Sequence, residues 1–440
     1  MVIKMKRGIR VLFGCFIVTG AVLLVNAVLS YVVIDDADDE VRYAMHAFYE
    51  QEDIETLFLG SSHVFCGYDP KILDEIMGEN TYLAATPVQK VDGSYYLLKE
   101  AVKNNPIQKV YLDVFYRQYR DIPAERTGEQ MMYIYCITDY MKKNFNRAEF
   151  LLNASGSEHY VESFLASARY GNYLLDRNRL ERIVKSKRSS EYINYENVPS
   201  NFYKGAMISE GTPGTPQMIV EADNPGISEN VLSAYSLKYL DKIVALCKEE
   251  GIQLVLVATP VADFYIQALG NYDTFYHYMR NYAETNEIEY YDFNLCRKDI
   301  LDMEDNDFMD YHHLSGKGAA KYSATFAEMM VSYDEEKRQE LFYQSVQEKM
   351  EDMSPQTMGI ALYQSEEEEN IYSLTTIANY DVDVEYRICI TDEQGNEVEL
   401  VQDFSGNNIV ESFPGEPVTF KITVRLKDTG EICEEEFIYL

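Results

Sequence analysis

Apolar positions in this chain gather into short unbroken runs set apart by amphipathic stretches. ETLFLG (Glu55–Gly60), NTYLAAT (Asn80–Thr86), KVYLDVFY (Lys109–Tyr116), IQLVLVATP (Ile252–Pro260) and IEYYDFN (Ile288–Asn294) are apolar along most of their length. Such runs read as strands buried on both faces rather than on one. Between them the period changes. PKILDEIMG starts on Pro70 and stops at Gly78, and a further helix crosses GSYYLLKEAVKNN. ENVLSAYSLKYLDKIVALCKEEG sets Leu237, Leu240, Val244 and Cys247 at helical spacing and closes on Gly251, and a last helix runs from Lys317 through GAAKYSATFAEMM. Strands alternating with helices predict an α/β domain over residues 50–332, its parallel sheet covered on both faces.

The alternation lapses over residues 120–229, a Tyr-rich insertion of helices and loops. Its tyrosines are expected to pack, the alternative being a stacking surface for sugar rings. Residues 333–354, DEEKRQELFYQSVQEKMEDM and its flanks, read as one charged amphipathic linker helix. From 355 to 440 the period becomes two: Val382, Val384, Tyr386, Ile388 and Ile390 alternate, as do Val418, Phe420, Ile422, Val424 and Leu426. Turn signals at DEQGN and KDTGE complete a small β-sandwich-like domain. The acidic run Glu366–Glu369 reads as a solvated loop.

With 440 residues the chain has room for two or three domains. Near its start Lys4, Lys6, Arg7 and Arg10 precede an uncharged run from Val11 to Ile34, and Asp35, Asp36, Asp38, Asp39 and Glu40 follow. That run exceeds the roughly 20 residues a membrane-spanning helix needs. Its flanking charges predict a single-pass signal-anchor with residues 1–10 cytoplasmic and the remainder exported. A cleaved signal peptide is the alternative, against which stand the length of the run and the lack of a small-x-small cleavage site. The net charge of −34 argues against nucleic acid as a partner. Seven cysteines show neither a disulfide framework nor CxxC spacing. Cys389 and Cys433 either pair or stay free.

Two stretches carry chemistry. LFLGSSHVFCGYDP places Gly60, Ser61, Ser62 and His63 at the exit of the first strand, and in open parallel sheets reactive groups collect beyond the strands' carboxyl ends. The second, DFMDYHHLSGKGAAKYS, sets Asp310 three residues before His313 in a turn ahead of the last helix. That spacing lets the carboxylate hold one ring nitrogen while the other faces a hydroxyl. Ser61 and Ser62 have an alternative role as caps of the helix at Pro70, and His63 reads as a structural loop histidine. His312 beside His313 suggests a metal pair, but neighbours in one turn point apart and no HExxH or carboxylate cluster accompanies them, so no metal is expected. Val64 stands where a Gly-x-Ser-x-Gly elbow needs its second glycine.

Gly60-Ser61-Ser62 early and Asp310-x-x-His313-Leu314 late resemble the first and last sequence blocks of SGNH/GDSL-type hydrolases. The Gly-Ser-Ser-His form, the anchor and HLSGKGAAKYS are most similar to the exported branch related to lipoteichoic-acid D-alanylation and alginate O-acetylation proteins. The resemblance spans about Ile54–Met330 and implies a flavodoxin-like three-layer sheet. It implies a nucleophile at Ser62, a base at His313 and an orienting acid at Asp310. Such enzymes add oxyanion donors from a Gly and an Asn on later loops. Here LAATPVQKVDG has no Asn, Thr86 and Gln89 are the candidate donors, and Asp113 can donate only when protonated.

The expected activity is that of a membrane-anchored O-acyltransferase or esterase, using an acyl-Ser intermediate on acyl esters of a cell-surface glycan. No cofactor is expected. The resemblance also implies a multi-pass membrane O-acyltransferase partner. A carbohydrate deacetylase would use the same site, and a non-catalytic glycan-binding protein would explain the missing Asn.

Overall fold

The computed structural model describes residues 2–120, 122–196, 198–209, 218–220, 232–365, 367–368, 370–392, 394–412 and 418–440. It begins with a single helix, α1 (Val2–Val33), in which Leu12–Val33 is long and apolar enough to cross a membrane. Leu12, Phe16 and Leu24 on it are exposed, unlike the side chains of a buried core helix. Its polar Asn26 accepts hydrogen bonds from the Ser167 N–H and hydroxyl at 3.1 and 2.9 Å. A short stem follows, and Asp39 caps α2 (Glu40–Glu50) by accepting from the N–H groups of Val41 and Arg42. Asp35 pairs with Arg182 at 2.6 Å, Asp36 with Lys187 at 2.8 Å, and the Tyr43 hydroxyl donates to the Ala37 carbonyl.

β1 (Thr56–Gly60) is followed by α3 (Ser62–Gly67), α4 (Pro70–Met77), β2 (Thr81–Ala85), α5 (Val91–Asn104) and β3 (Lys109–Asp113). After the insertion come α6 (Ala234–Glu250), β4 (Gln253–Ala258), α7 (Asp263–Leu269), α8 (Tyr272–Asn286), β5 (Glu289–Asp292) and α9 (Gly316–Ser332). The strands form one sheet in the order β2-β1-β3-β4-β5, with every pair parallel. That is the flavodoxin-like doubly wound order. Tyr68, Tyr322 and Phe326 pack over Phe58 and Tyr111 on one side of the sheet, while Tyr96 of α5 meets Tyr239 of α6. Gly78 and Gly251 end α4 and α6 at φ 67° and 70°, the left-handed conformation glycine takes without a Cβ clash.

The insertion is a set of short helices, from Gly128–Thr138 to Ser190–Asn194, and a two-stranded hairpin, Phe202–Tyr203 with Ala206–Met207. Tyr135 within it is buried, whereas Tyr160 and Tyr173 are exposed.

Residues 333–354 are not one helix. They form α10 (Glu335–Gln339) and α11 (Val346–Asp352), separated by an extended turn. The turn pays out backbone hydrogen bonds to the sheet domain: Arg297 N–H donates to Leu341 O at 2.9 Å and Tyr343 N–H to Leu295 O at 2.8 Å. With Phe342 and Tyr343 buried there, tertiary contact outweighs the helical pattern, and Ser345 restarts the helix as an N-cap.

The C-terminal part is two facing four-stranded sheets. One holds β6 (Thr357–Gln364), β7 (Ile371–Ala378) and β10 (Ile409–Glu411); the other holds β8 (Val384–Thr391), β9 (Glu397–Ser405), β11 (Thr419–Leu426) and β12 (Ile432–Tyr439). The first sheet takes its fourth strand, Met218–Val220, from the insertion, paired parallel to β6. Three residues are too short a run for any period to be read. The seven cysteines are free, so Cys389 and Cys433 are not joined. Glu366 and Glu369 of the acidic run lie outside the described residues.

Candidate active site

β1 ends at Gly60, and the chain turns into α3 within two residues. A Cβ at Gly60 would lie 2.5 Å from Val64 Cγ2 and 2.7 Å from Asp113 Cβ. Glycine therefore fits here because of close approach rather than unusual torsion. Ser61 is the N-cap residue without a side-chain cap bond, and its carbonyl accepts from the N–H groups of Val64 and Phe65 at 3.0 Å. Neither serine caps α4, since Asp69 does so by accepting from the Lys71 N–H at 2.9 Å. Ser62 thus stands at the first helical position, half-buried at the carboxyl end of the sheet.

The partner loop is pinned on both sides. Phe308 bridges Leu314, and Met309 N–H donates to His313 O at 2.9 Å. Ser315 caps α9 by accepting from the Gly318 N–H at 3.2 Å, and the buried Asp307 carboxylate pairs with Lys321 at 2.5 Å. Within this frame Asp310 Oδ1 accepts the N–H groups of His312 and His313, both at 2.9 Å. Its Oδ2 lies 2.8 Å from His313 Nδ1, and His313 Nε2 lies 2.7 Å from Ser62 Oγ. A hydrogen on Nδ1 directed at the carboxylate leaves the Nε2 lone pair to accept the Ser62 hydroxyl hydrogen. Burial alone would raise the Asp310 carboxyl, but the hydrogen bond and charge of His313, aided by His312, hold it well below the usual range. The structure therefore brings Ser62, His313 and Asp310, from loops about 250 residues apart, into one hydrogen-bonded line.

Thr86 and Gln89 are buried on the loop after β2 and turned toward each other. The Thr86 hydroxyl donates to Gln89 Oε1 at 3.2 Å, and Gln89 Nε2 donates to Ala84 O at 3.2 Å and Ser94 Oγ at 3.0 Å. Their side-chain hydrogens are engaged inside the loop rather than aimed at Ser62. Asp113, ending β3, accepts from the Thr259 N–H and hydroxyl at 3.1 and 2.7 Å through Oδ1, while its buried Oδ2 has no partner among the described residues. Burial lifts its carboxyl to about 6, against the opposing pull of the Thr259 hydrogen bonds.

Sequence reasoning treated His63 and His312 apart, and the structure joins them. His63 is buried, its ring edge-on to Phe115 at 4.1 Å, with Nε2 3.2 Å from His312 Nδ1 and Nδ1 3.4 Å from Ser61 Oγ. Burial, then the charges of His312 and His313, push His63 well below the ordinary range. Burial, with His313 next, takes His312 down to about 3. Phe115, Tyr265 and Tyr311 wall this pair, and Arg117, whose Nε donates to the Tyr116 hydroxyl at 3.1 Å, lends it positive field. The signal for the pairing was in the chain: once Ser62 and His313 meet, their immediate neighbours meet too.

No curated protein matches the chain. One family model matches residues 218–334, a stretch that includes Asp310 and His313. Among solved structures the chain is similar to a GDSL-like lipase from Bacteroides thetaiotaomicron, at 10% identity and TM-score 0.30, covering 66% of this chain and 96% of that one. It is similar also to a putative acylhydrolase from Bacteroides fragilis, at 10% identity and TM-score 0.30, covering 67% and 96%. Overlap at that score is loose, and the site stands on its own geometry.

Proposed function

We propose that this chain is a membrane-anchored serine esterase or O-acyltransferase of the SGNH type, acting on acyl esters of a cell-surface glycan. The observation that carries the reading is the continuous line from Ser62 Oγ through His313 to Asp310, with contacts of 2.7 and 2.8 Å. In this reading Ser62 attacks the ester carbonyl while His313 Nε2 takes its proton. Asp310 stabilises the imidazolium and keeps its ring oriented. His313 then protonates the leaving alkoxide, and an acyl-Ser62 ester remains. Water or a sugar hydroxyl, deprotonated by the same ring, releases the acyl group. The Ser62 backbone N–H, at the first helical position and without an intrahelical acceptor, supplies an oxyanion donor in place of the engaged Thr86 and Gln89.

Location supports the substrate class. Leu12–Val33 is apolar and outward-facing, and basic residues precede it while acidic ones follow. Those charges favour an N-terminus in the cytoplasm and a catalytic domain outside. A multi-pass membrane O-acyltransferase would deliver the acyl group, and the outward-facing side chains of α1 suit a neighbour within the bilayer.

The test is labelling of the full chain in detergent micelles with a fluorophosphonate. Wild type should be modified at Ser62 and Ser62→Ala should not; folded wild type that stays unlabelled refutes the reading and favours a glycan-binding role. Incubation with an acetyl ester, with and without oligosaccharide, then separates the two enzymes. Acetylated sugar above hydrolysis identifies the transferase, and hydrolysis alone the deacetylase.

A further inference from the structure

His63, His312 and His313 each offer one ring nitrogen, and these three atoms lie within 4.8 Å of one another. The His63 Nε2 to His312 Nδ1 separation is 3.2 Å. Two zinc–imidazole bonds of about 2.0–2.1 Å at a tetrahedral angle place their nitrogens roughly 3.3–3.4 Å apart. The pair is thus already spaced as one edge of a tetrahedral site. The outer partners of such a site are also present. Metal-bound histidines usually donate their other N–H to an oxygen, and His313 Nδ1 faces Asp310 while His63 Nδ1 faces Ser61 Oγ.

We propose that these three histidines form a Zn2+ site that shuts off the Ser62 centre by capturing its base. This rests on the catalytic reading above. Both nitrogens of His313 are in use, Nδ1 by Asp310 and Nε2 by Ser62. Whichever nitrogen the metal takes, the proton path from Ser62 is cut. The Nε2 lone pair is the available one, and its capture leaves the Ser62 hydroxyl without an acceptor. The hydrogen shared between His63 and His312 moves to an outer ring nitrogen, His63 Nδ1 or His312 Nε2. Both rings then present lone pairs as neutral ligands, and no proton is released. Imidazole donors without thiolate or carboxylate in the inner set suit a borderline divalent ion such as Zn2+ rather than Mg2+ or Ca2+.

The experiment uses the full chain in micelles, stripped with EDTA. Zn2+ binding is measured by competition with a fluorescent chelator, and Co2+ substitution by its visible absorption. One ion per chain with tetrahedral Co2+ bands is expected. The double variant His63→Gln/His312→Gln should bind at least about tenfold more weakly, and Asp310→Asn should weaken binding by about 10–100-fold. Ser62→Ala, which frees His313 Nε2, should bind at least as tightly as wild type, and it keeps the test valid if the histidine variants fail to fold. Fluorophosphonate labelling of wild type should fall with the same midpoint as Zn2+ binding and return with EDTA. Absence of a tetrahedral Co2+ spectrum, binding indifferent to the double variant, weaker binding by Ser62→Ala, or labelling untouched by bound Zn2+ overturns the proposal. If metal-free wild type is never labelled, the catalytic reading fails instead, while the Co2+ spectrum still reports the site.

Discussion

Replacing Gly60 with alanine tests how Ser62 is placed. The added methyl would meet Val64 Cγ2 at 2.5 Å and Asp113 Cβ at 2.7 Å, against an optimum of about 3.5–4.0 Å for carbon contacts. Each contact is therefore short by about an ångström. Asp113 is fixed: β3 is central in the sheet, and the Asp113 carboxylate is tied to Thr259. Relief must come from Val64, which sits two residues after Ser62 in α3, so the turn carrying Ser62 is displaced by a large fraction of an ångström. Overpacking of this kind costs about 1–3 kcal/mol of stability. A 1 Å misplacement of a reacting group can cost about 10²-fold in rate, equivalent to ~3 kcal/mol of barrier. Gly60→Ala should therefore melt several degrees lower and react with fluorophosphonate about a hundredfold more slowly. Adding Val64→Ala should recover part of the rate by removing the 2.5 Å contact while leaving the one with Asp113. A Gly60→Ala protein with wild-type labelling rate and melting temperature would refute the argument that close approach, and not chance, keeps glycine at this position.

Other consequences are equally direct. On the proposed function, Asp310→Asn should slow labelling of Ser62 by about 10²–10⁴-fold while leaving the fold intact by circular dichroism, because His313 loses the carboxylate that orients its ring. Burial, with Glu434 and Asp305 nearby, raises the Glu436 carboxyl to about 8 from 4.5, and its Oε2 has no partner among the described residues. The folded chain thus holds a proton that the unfolded chain releases above about 4.5, so stability should fall as pH climbs from 4.5 to 8. Glu436→Gln should flatten that slope in denaturant titrations and stabilise the protein at pH 8 by up to about 4 kcal/mol. Ser315→Ala removes the cap of α9 and should cost about 1–2 kcal/mol, read as a melting point lower by a few degrees.

The strands of the sheet were legible because their apolar runs are local and each is covered on both sides. The caps were legible where one residue type settles the matter, as at Gly78 and Gly251. The Asp310–His313 contact was legible because its spacing is short, whereas Ser62, about 250 residues away, was singled out only by the turn at the strand exit. What stayed hidden depends on distant partners. Nothing local in Met218–Val220 announces a strand, since its edge is satisfied only by β6 from the far end of the chain. Phe342 and Tyr343 fit a helical stripe, and the backbone of Leu295 to Arg297 draws them into an extended turn. Thr86 and Gln89 looked like free donors in sequence because their acceptors, Gln89 Oε1 for Thr86 and Ala84 O and Ser94 Oγ for Gln89, are met only once the loop folds.

The stem between α1 and α2 spans six residues, Ile34 to Asp39. Were it slack it would let the head roam over roughly 20 Å. Its aspartates are instead clamped to Arg182 and Lys187 of the insertion, and Asn26 on α1 is latched to Ser167. The head is thereby mounted like a tool on a fixed post, with its working edge at one height and one bearing. Lengthening the post with glycine and serine would exchange that fixed aim for reach.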